Sequence, residues 1–181
     1  MEERIAIAGF GGQGVMAIGQ LLTYAGMEND YFISWYPSYG PEMRGGTANC
    51  SVVIADEPVG SPVVEHADVV IVMNRPSLDK FESKVKPGGK LFVHSNIVDR
   101  DVIRDDIDVY KIPAGDIANG LNNPRVQNMV MLGAYLENSN RISLEDVLSV
   151  FTKVFGEDKK DLLDINKKAM QAGMSVASTQ H

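Results

Sequence analysis

The sequence predicts an α/β fold, and three observations support that prediction. Short apolar, β-branched segments alternate with segments of helical periodicity through the first two thirds of the chain. The first apolar segment ends in a glycine-rich turn that leads directly into a helical pattern. The 181 residues suffice for one domain, and no interior linker divides residues 1–181. We therefore expect a single Rossmann-like, doubly wound domain with a mostly parallel sheet and a helical C-terminal part.

Six segments have the composition of strands, and most are apolar enough to be buried on both faces of a sheet. They are residues 4–9, 31–35, 47–55, 67–73, 91–94 and 108–112. The first helix is predicted over 12–26, where apolar side chains recur at helical spacing, and a short helix follows Pro76. Residues 86–90 contain a proline and two glycines, which predicts a turn before the fifth strand.

The last third of the chain is predicted to be helical. Residues 125–137 place their apolar side chains along one face of a helix. Ser143 and Asp146 have the spacing of a capping box, which opens a second helix that Gly156 closes. A final helix is expected to begin near Lys159, and the tail 175–181 is expected to fray.

Composition excludes several classes of protein. The net charge of −7 argues against a general nucleic-acid binder, which needs an excess of basic residues. A single cysteine, Cys50, excludes an internal disulfide and a self-contained iron–sulfur cluster, and the three histidines lack metal-ligand spacing. The uncharged stretch 5–27 contains six glycines, which favours a buried strand and helix over a membrane segment. We expect a cytoplasmic, metal-free domain without a membrane or nucleic-acid partner.

The motif G-x-G-x-x-G occupies residues 9–14 between a predicted strand and a predicted helix. Glycines let the chain turn sharply, and the start of a helix presents unpaired amide hydrogens to an anion. Gly11, Gly12, Gln13 and Gly14 are therefore candidate ligand-binding residues. The alternative is that the glycines only allow close packing of the strand against the helix.

A nicotinamide dinucleotide is not the favoured ligand of this loop. Dinucleotide-binding folds place an acid at the end of the second strand, where it binds the ribose hydroxyls. Here the second strand ends in Ser34, Trp35 and Tyr36, which supply no acid. The same absence weakens a methyltransferase interpretation, although a free-standing nucleotide-binding oxidoreductase or methyltransferase stays as the alternative.

A second candidate segment, residues 35–46, leaves the carboxyl end of the second strand, at the same edge as the glycine loop. Its length and its side chains favour a functional loop, and Ser38, Tyr39 and Arg44 are its candidate binding residues. The planar guanidinium of Arg44 suits a phosphate or a carboxylate. The alternative is a surface ion pair between Arg44 and Glu42.

Four other residues receive predictions of their own. Cys50 lies mid-strand and is expected to be a buried packing residue rather than a reactive thiol. His94 ends a strand without a recognisable nucleophile or base beside it, so a structural role is expected. Asn128 opens a helix and is expected either to donate to a ligand or to cap a nearby turn. Met129 is expected to pack in the core, as is Met131.

Three segments carry a resemblance to a known family: residues 9–14, 35–52 and 128–134. Together they resemble the gamma subunit of 2-oxoacid:acceptor (ferredoxin) oxidoreductases, over roughly the first three quarters of the chain. The middle segment is the longest and most specific of the three. Beyond about residue 140 the helices are generic.

The resemblance implies a multi-subunit enzyme that decarboxylates a 2-oxoacid on thiamine diphosphate, passes electrons through iron–sulfur clusters to ferredoxin and releases an acyl-CoA. Thiamine diphosphate and the clusters would lie on alpha, beta and ferredoxin-like delta subunits. The chain itself lacks a Gly-Asp-Gly thiamine motif and cluster cysteines, so it is expected to be inactive alone. Within the family, 2-oxoglutarate or a branched-chain 2-oxoacid is favoured over pyruvate as the substrate. Whether the chain forms homodimers is left open.

Two roles for the candidate loops remain at this point. In the first, the glycine loop and Arg44 hold an anionic part of coenzyme A, whose phosphates suit unpaired amides and a guanidinium. In the second, both loops contact only protein and position the subunit beside the thiamine site. No catalytic residue and no metal ligand is predicted in this chain.

Overall fold

A computed structural model describes residues 1–38 and 47–180. The described chain contains one six-stranded sheet in the order β2-β3-β1-β4-β5-β6. The strands are β1 (Glu2–Phe10), β2 (Phe32–Ser38), β3 (Thr47–Ala55), β4 (Ala67–Val72), β5 (Val85–His94) and β6 (Asp108–Ile112). The helices are α1 (Val15–Glu28), α2 (Arg75–Phe81), α3 (Ala114–Gly120), α4 (Gln127–Glu137), α5 (Leu144–Phe155) and α6 (Leu163–Ser178). Short 3₁₀ turns precede α4 (Pro124–Val126) and α6 (Glu157–Leu162).

The predicted α/β class is confirmed, with one difference in the direction of the strands. β1, β4, β5 and β6 run parallel, whereas β3 runs antiparallel to both β1 and β2. β2 and β3 follow each other in sequence and pair directly with each other, which is typical of antiparallel strands. Two of the five strand pairs are therefore antiparallel.

The two faces of the sheet are covered unequally. One face carries α1, α3, α4, α5 and α6 over the larger apolar core. The other face carries α2, whose Leu78 and Phe81 pack onto a smaller core with help from the connecting segments. This unequal cover follows from the connections, because β3–β4 and β5–β6 are joined without an intervening helix.

Two stretches that the sequence predicts to be irregular are instead ordered. Residues 86–90 lie within β5 rather than before it, because the strand accommodates Gly88 at φ +79° where its register with β4 shifts. The tail does not fray from residue 175, because α6 continues to Ser178. Beyond it, the Gln180 side chain accepts from the Lys111 amide at 2.9 Å and donates to the Lys111 carbonyl at 2.8 Å.

Other sequence predictions hold in detail. β3 and β6 occupy the predicted ranges, and Ser143 and Asp146 form both hydrogen bonds of a capping box at the start of α5. Cys50 is buried, and burial raises the pKa of its thiol to about 11, which fits a packing role. Met129 and Met131 are buried in the larger core. No helix of residues 1–38 and 47–180 combines the length and apolar character needed to cross a bilayer.

Helices α4 and α6 approach each other closely through two glycines. A Cβ atom added at Gly133 would overlap the backbone oxygen of Met170, and one added at Gly173 would overlap the backbone oxygen of Val130. The contact is therefore backbone against backbone, which only glycine permits. It fixes α4, whose first residues lie at the carboxyl edge of the parallel strands.

Candidate functional site

The glycine loop forms a tight turn between β1 and α1. The Gln13 amide donates to the Phe10 carbonyl at 3.1 Å, and two glycines adopt left-handed backbone conformations, Gly12 at φ +91° and Gly14 at φ +77°. Gly11 and Gly12 are exposed. Gly14 is the N-cap of α1 and offers no side chain to its first amides. The turn therefore presents backbone at the carboxyl edge of the sheet.

The side chain of Gln13 is directed into the protein. Its Oε1 accepts from the Phe10 amide at 2.6 Å and from Asn74 Nδ2 at 3.3 Å, while its Nε2 donates to the Met73 carbonyl at 3.1 Å. These bonds tie the loop to the end of β4. The carboxamide of Gln13 therefore holds the loop in place.

Asn128 connects the glycine loop to α4. Its Nδ2 donates to the Gly14 carbonyl at 3.3 Å, and its Oδ1 accepts from the Met129 amide at 3.0 Å. A Cβ atom at Gly14 would overlap the Asn128 amide, so Gly14 is required by this contact as well as by its backbone conformation. The starts of α1 and α4 are thereby held side by side.

A cleft of about 450 Å³ lies between these two helix starts. It is lined by Gly12, Gln13, Gly14, Met73, Ile97, Pro124, Arg125, Gln127 and Asn128. α1 has no side-chain cap at its N-cap residue, so it presents the positive end of its dipole here. α4 instead continues from the 3₁₀ turn, and Asn128 Oδ1 accepts from one of its first amides.

Arg125 supplies the cleft's charge. Its side chain is exposed, and none of the described residues that line this cleft is acidic. Within the described residues, its guanidinium makes no hydrogen bond or ion pair. An arginine with free donors beside the N-terminus of α1 makes the cleft suitable for an anion.

His94 lies beneath the cleft at the end of β5. It is fully buried, and its Nε2 lies 2.7 Å from Oε1 of Gln127. Burial lowers the pKa of His94, although the hydrogen bond with Gln127 opposes that shift. The sequence reasoning found no partner for His94, and the structure supplies one 33 residues away in the chain.

A comparison cleft shows why charge matters here. It has a similar volume, about 470 Å³, and lies over the segment from Val98 to Val102. Its charged side chains are paired: Lys111 bonds Asp101 at 3.2 Å, and Arg100 bonds Asp79 and Glu82. Such mutual pairing satisfies the charges within the protein and leaves none for a ligand.

The predicted site residues are only partly brought together. Gly12, Gln13, Gly14 and Asn128 line the cleft, and Gly11 adjoins it in the same loop. Ser38 is exposed at the end of β2 on the same sheet edge, but it does not line the cleft, because β3 lies between β2 and β1. Tyr39 and Arg44 lie outside the described residues.

Among the polar residues that line the cleft, sequence reasoning missed Arg125 and Gln127. Both were assigned to an ordinary helix beginning at residue 125, whereas the structure ends a 3₁₀ turn at Val126 and starts α4 at Gln127. The Asn123-Pro124 pair was the available signal, because Asn123 accepts from the Arg125 amide at 3.0 Å and opens that turn.

The direction of β3, the strand beside β1, also explains why the ribose-binding acid of a dinucleotide site is missing at this edge. In dinucleotide-binding folds the neighbouring strand is parallel, and its carboxyl end carries the ribose acid. Here the neighbour is antiparallel β3, so its first residue, Thr47, pairs with Phe10 beside the glycine loop. No described group of three or more metal-ligating side chains occurs either.

Comparison with known proteins decides the family. The sequence profile of the pyruvate ferredoxin/flavodoxin oxidoreductase family matches residues 4–176. The chain belongs to this family. The resemblance seen in the sequence is thereby confirmed, and a free-standing nucleotide-binding enzyme is not favoured.

Three relatives within the pyruvate ferredoxin/flavodoxin oxidoreductase family illustrate the match. Ketoisovalerate oxidoreductase subunit VorA of Methanothermobacter marburgensis is 39% identical over 97% of this chain and 37% of its own length. The 2-oxoglutarate synthase subunit KorC of Methanocaldococcus jannaschii is 35% identical over 92% of both chains. The solved 2-oxoglutarate:ferredoxin oxidoreductase of Magnetococcus marinus, with 2-oxoglutarate, coenzyme A and succinyl-CoA bound, superposes with a TM-score of 0.89 at 26% identity, over 99% of this chain and 32% of that one.

The chain thus spans little more than a third of the VorA relative and about a third of the Magnetococcus marinus chain, but nearly the whole of KorC. The same fold therefore occurs in this family both as one part of a long chain and as a chain of similar length to this one.

Proposed function

We propose that this chain is the gamma subunit of a multi-subunit 2-oxoacid:ferredoxin oxidoreductase, which oxidatively decarboxylates a 2-oxoacid to an acyl-CoA. Membership of the family and the nearly full-length match to KorC support this role. The chain folds as one domain over residues 1–181 and is inactive alone. Its partners are alpha, beta and ferredoxin-like delta subunits.

Thiamine diphosphate and the iron–sulfur clusters belong to those partner subunits. This chain does not fit either group: it has one cysteine, which is buried, and no described cluster of metal-ligating side chains. A cluster normally needs four thiolates. The contribution of the chain is therefore to bind, orient and exclude water rather than to transfer electrons.

We further propose that the cleft between α1 and α4 contacts an anionic part of coenzyme A. One observation supports this proposal: the uncapped N-terminus of α1 and the unpaired Arg125 meet in a cleft whose described lining contains no acidic residue. Coenzyme A carries several phosphate groups, which such donors bind well. The Magnetococcus marinus relative binds coenzyme A, which supports the choice of ligand.

The competing role, docking through the loops without ligand contact, predicts a different outcome from the same experiment. The assembled enzyme is prepared with Arg125→Ala and, separately, with Arg44→Ala. Ligand contact predicts a KM for coenzyme A raised about ten-fold or more in the Arg125→Ala enzyme, with the subunit content unchanged. An unchanged KM together with loss of the subunit from the complex would remove the ligand proposal.

The nature of the 2-oxoacid is tested with the same complex. We propose 2-oxoglutarate or a branched-chain 2-oxoacid, since the VorA and KorC relatives carry those two names. Ferredoxin reduction measured with 2-oxoglutarate, 2-oxoisovalerate and pyruvate at equal concentration compares the three. Preference for pyruvate would contradict the proposal while leaving the family unchanged.

A further inference from the structure

His94 and Gln127 form a buried pair that the proposed coenzyme A contact does not yet use. His94 is 0% exposed and lies at the end of β5, and Gln127 is the first residue of α4 and lines the cleft. The Nε2 atom of His94 lies 2.7 Å from Oε1 of Gln127. The other ring nitrogen, Nδ1, is buried and has no hydrogen-bond partner among the described residues.

The hydrogen bonds determine which way the Gln127 carboxamide faces. Its Nε2 donates to the Pro124 carbonyl at 2.9 Å, and a carbonyl can only accept. The Oε1 atom must therefore face His94, so the His94 proton is on Nε2 and Nδ1 is unprotonated. Burial lowers the pKa of His94, which keeps the ring in this neutral form at physiological pH.

This arrangement leaves one donor of Gln127 unused. A primary amide has two N–H groups, of which one bonds Pro124, while both ends of the carboxamide are held. If the carboxamide were reversed, its oxygen would face the Pro124 carbonyl and repel it, and its nitrogen would face the Nε2–H of His94. His94 and Pro124 therefore hold the carboxamide together in the orientation that places its nitrogen beside Pro124, which also lines the cleft.

We propose that Gln127 is a binding residue for a phosphate group in the cleft, and that His94 is a positioning residue that keeps the Gln127 amide nitrogen available to it. This inference rests on the proposed contact with coenzyme A and extends it to a specific donor. Gln127 would act together with Arg125, which precedes it by two residues and also lines the cleft.

The first test removes the donor in the assembled enzyme. Gln127→Met keeps the length of the side chain but cannot donate, and we expect the KM for coenzyme A to rise about ten-fold with kcat nearly unchanged. The matched control is Gln180→Met, because Gln180 also holds two hydrogen bonds but lies away from the cleft, on Lys111. The control is expected to keep the KM of the unmodified enzyme.

The second test separates positioning from packing. His94→Gln keeps an N–H close to the position of Nε2, whereas His94→Leu fills the space without a donor. We expect His94→Leu to raise the KM for coenzyme A several-fold, and His94→Gln to restore most of it. A purely structural His94 would instead lower the melting temperature without this split between the two variants.

The outcomes distinguish the proposal for Gln127 from the proposed coenzyme A contact on which it rests. If Arg125→Ala raises the KM for coenzyme A while Gln127→Met does not, the Gln127 proposal is overturned and the coenzyme A contact stands. If neither variant changes the KM, both are overturned. If His94→Leu does not fold, the comparison of Gln127→Met with Gln180→Met still decides the binding role.

Discussion

The charged side chains at the amino end of the parallel strands differ from the one that lines the cleft at their carboxyl end. At the amino end they are paired: Lys86 donates to Asp68 at 3.2 Å, and Arg141 donates to Asp56 at 3.3 Å. At the carboxyl end, the charge lining the cleft is Arg125, which has no partner in the described chain. The first arrangement stabilises the fold, whereas the second is available to a ligand.

The buried groups differ in the same way. At the amino end, the Tyr135 hydroxyl donates to the Glu3 carboxylate, and burial raises the pKa of both side chains. At the carboxyl end, buried His94 bonds a glutamine that lines an open cleft. The Tyr135–Glu3 pair lies away from the cleft, whereas the His94–Gln127 pair adjoins it. Substitutions at the amino end should therefore change the stability of the chain, and substitutions at the carboxyl end should change ligand binding.

The largest effect is expected for Gly14→Ala at the carboxyl end. The new Cβ would meet the Asn128 amide, and the residue would also occupy a left-handed conformation at φ +77°. We expect a loss of about 2–4 kcal/mol in the free energy of unfolding, together with impaired coenzyme A binding. Urea denaturation of the chain and the KM of the assembled enzyme measure the two effects.

Gly12→Ala is the matched control for that change. Gly12 also has a positive φ, +91°, but an added Cβ would meet nothing within 4 Å. Because no described residue lies within that distance, only backbone strain of about 1–2 kcal/mol is expected. Equal losses for the two variants would show that the contact with Asn128 does not matter.

A smaller effect is expected when Arg141 and Arg125 are each replaced by alanine in separate variants. Arg141→Ala should destabilise the chain by about 1–2 kcal/mol, because Arg141 bonds Asp56, lies over the Tyr31 ring and is mostly buried. Arg125→Ala should leave the melting temperature within about 1 °C and raise the KM for coenzyme A. A stability loss in Arg125→Ala, or a KM change in Arg141→Ala, would erase the contrast between the two ends.

The smallest effect is expected from Glu3→Gln, and it depends on pH. Burial, opposed by the Tyr135 hydrogen bond and by Arg141, raises the pKa of Glu3 in the folded chain above its usual 4.5. Unmodified Glu3 therefore loses stability as the pH rises through the folded pKa, whereas glutamine does not titrate. Between pH 4.5 and 7, the free energy of unfolding of the variant should rise relative to that of the unmodified chain, by less than about 1 kcal/mol.

Urea denaturation of both chains at pH 4.5 and pH 7 measures this difference, and other titrating groups cancel in the comparison. Two more charged groups act on Glu3, since Asp68 raises its pKa and Lys90 lowers it. If the variant instead becomes less stable than the unmodified chain as the pH rises, the charge of Arg141 and the Tyr135 hydrogen bond outweigh burial in setting the pKa of Glu3.

Local sequence patterns correctly predict those elements that are determined by residues close together in the sequence. The β-branched run of β3, the alternation of β6 and the Ser143 capping box depend on neighbours a few residues away. The glycine loop belongs to the same class, because Gly12 and Gly14 are needed by the turn itself. For such elements the physical cause lies within the segment.

The remaining features depend on residues that are distant in the chain. Gln180 bonds Lys111 across 69 residues, which holds a tail that composition alone predicts to fray. Asn128 meets Gly14 across 114 residues, and His94 meets Gln127 across 33. Neither the antiparallel direction of β3 nor the role of Arg125 is visible before the sheet order places these segments together.

The backbone contact between α4 and α6 has a consequence for any molecule that enters the cleft. Because Gly133 and Gly173 bring the two helices together without intervening side chains, α4 has little room to slide or rotate. The hydrogen-bond donors at the start of α4 are therefore already in position before a ligand binds, so that binding costs little conformational entropy there. Any displacement of α4 would then have to carry α6 with it.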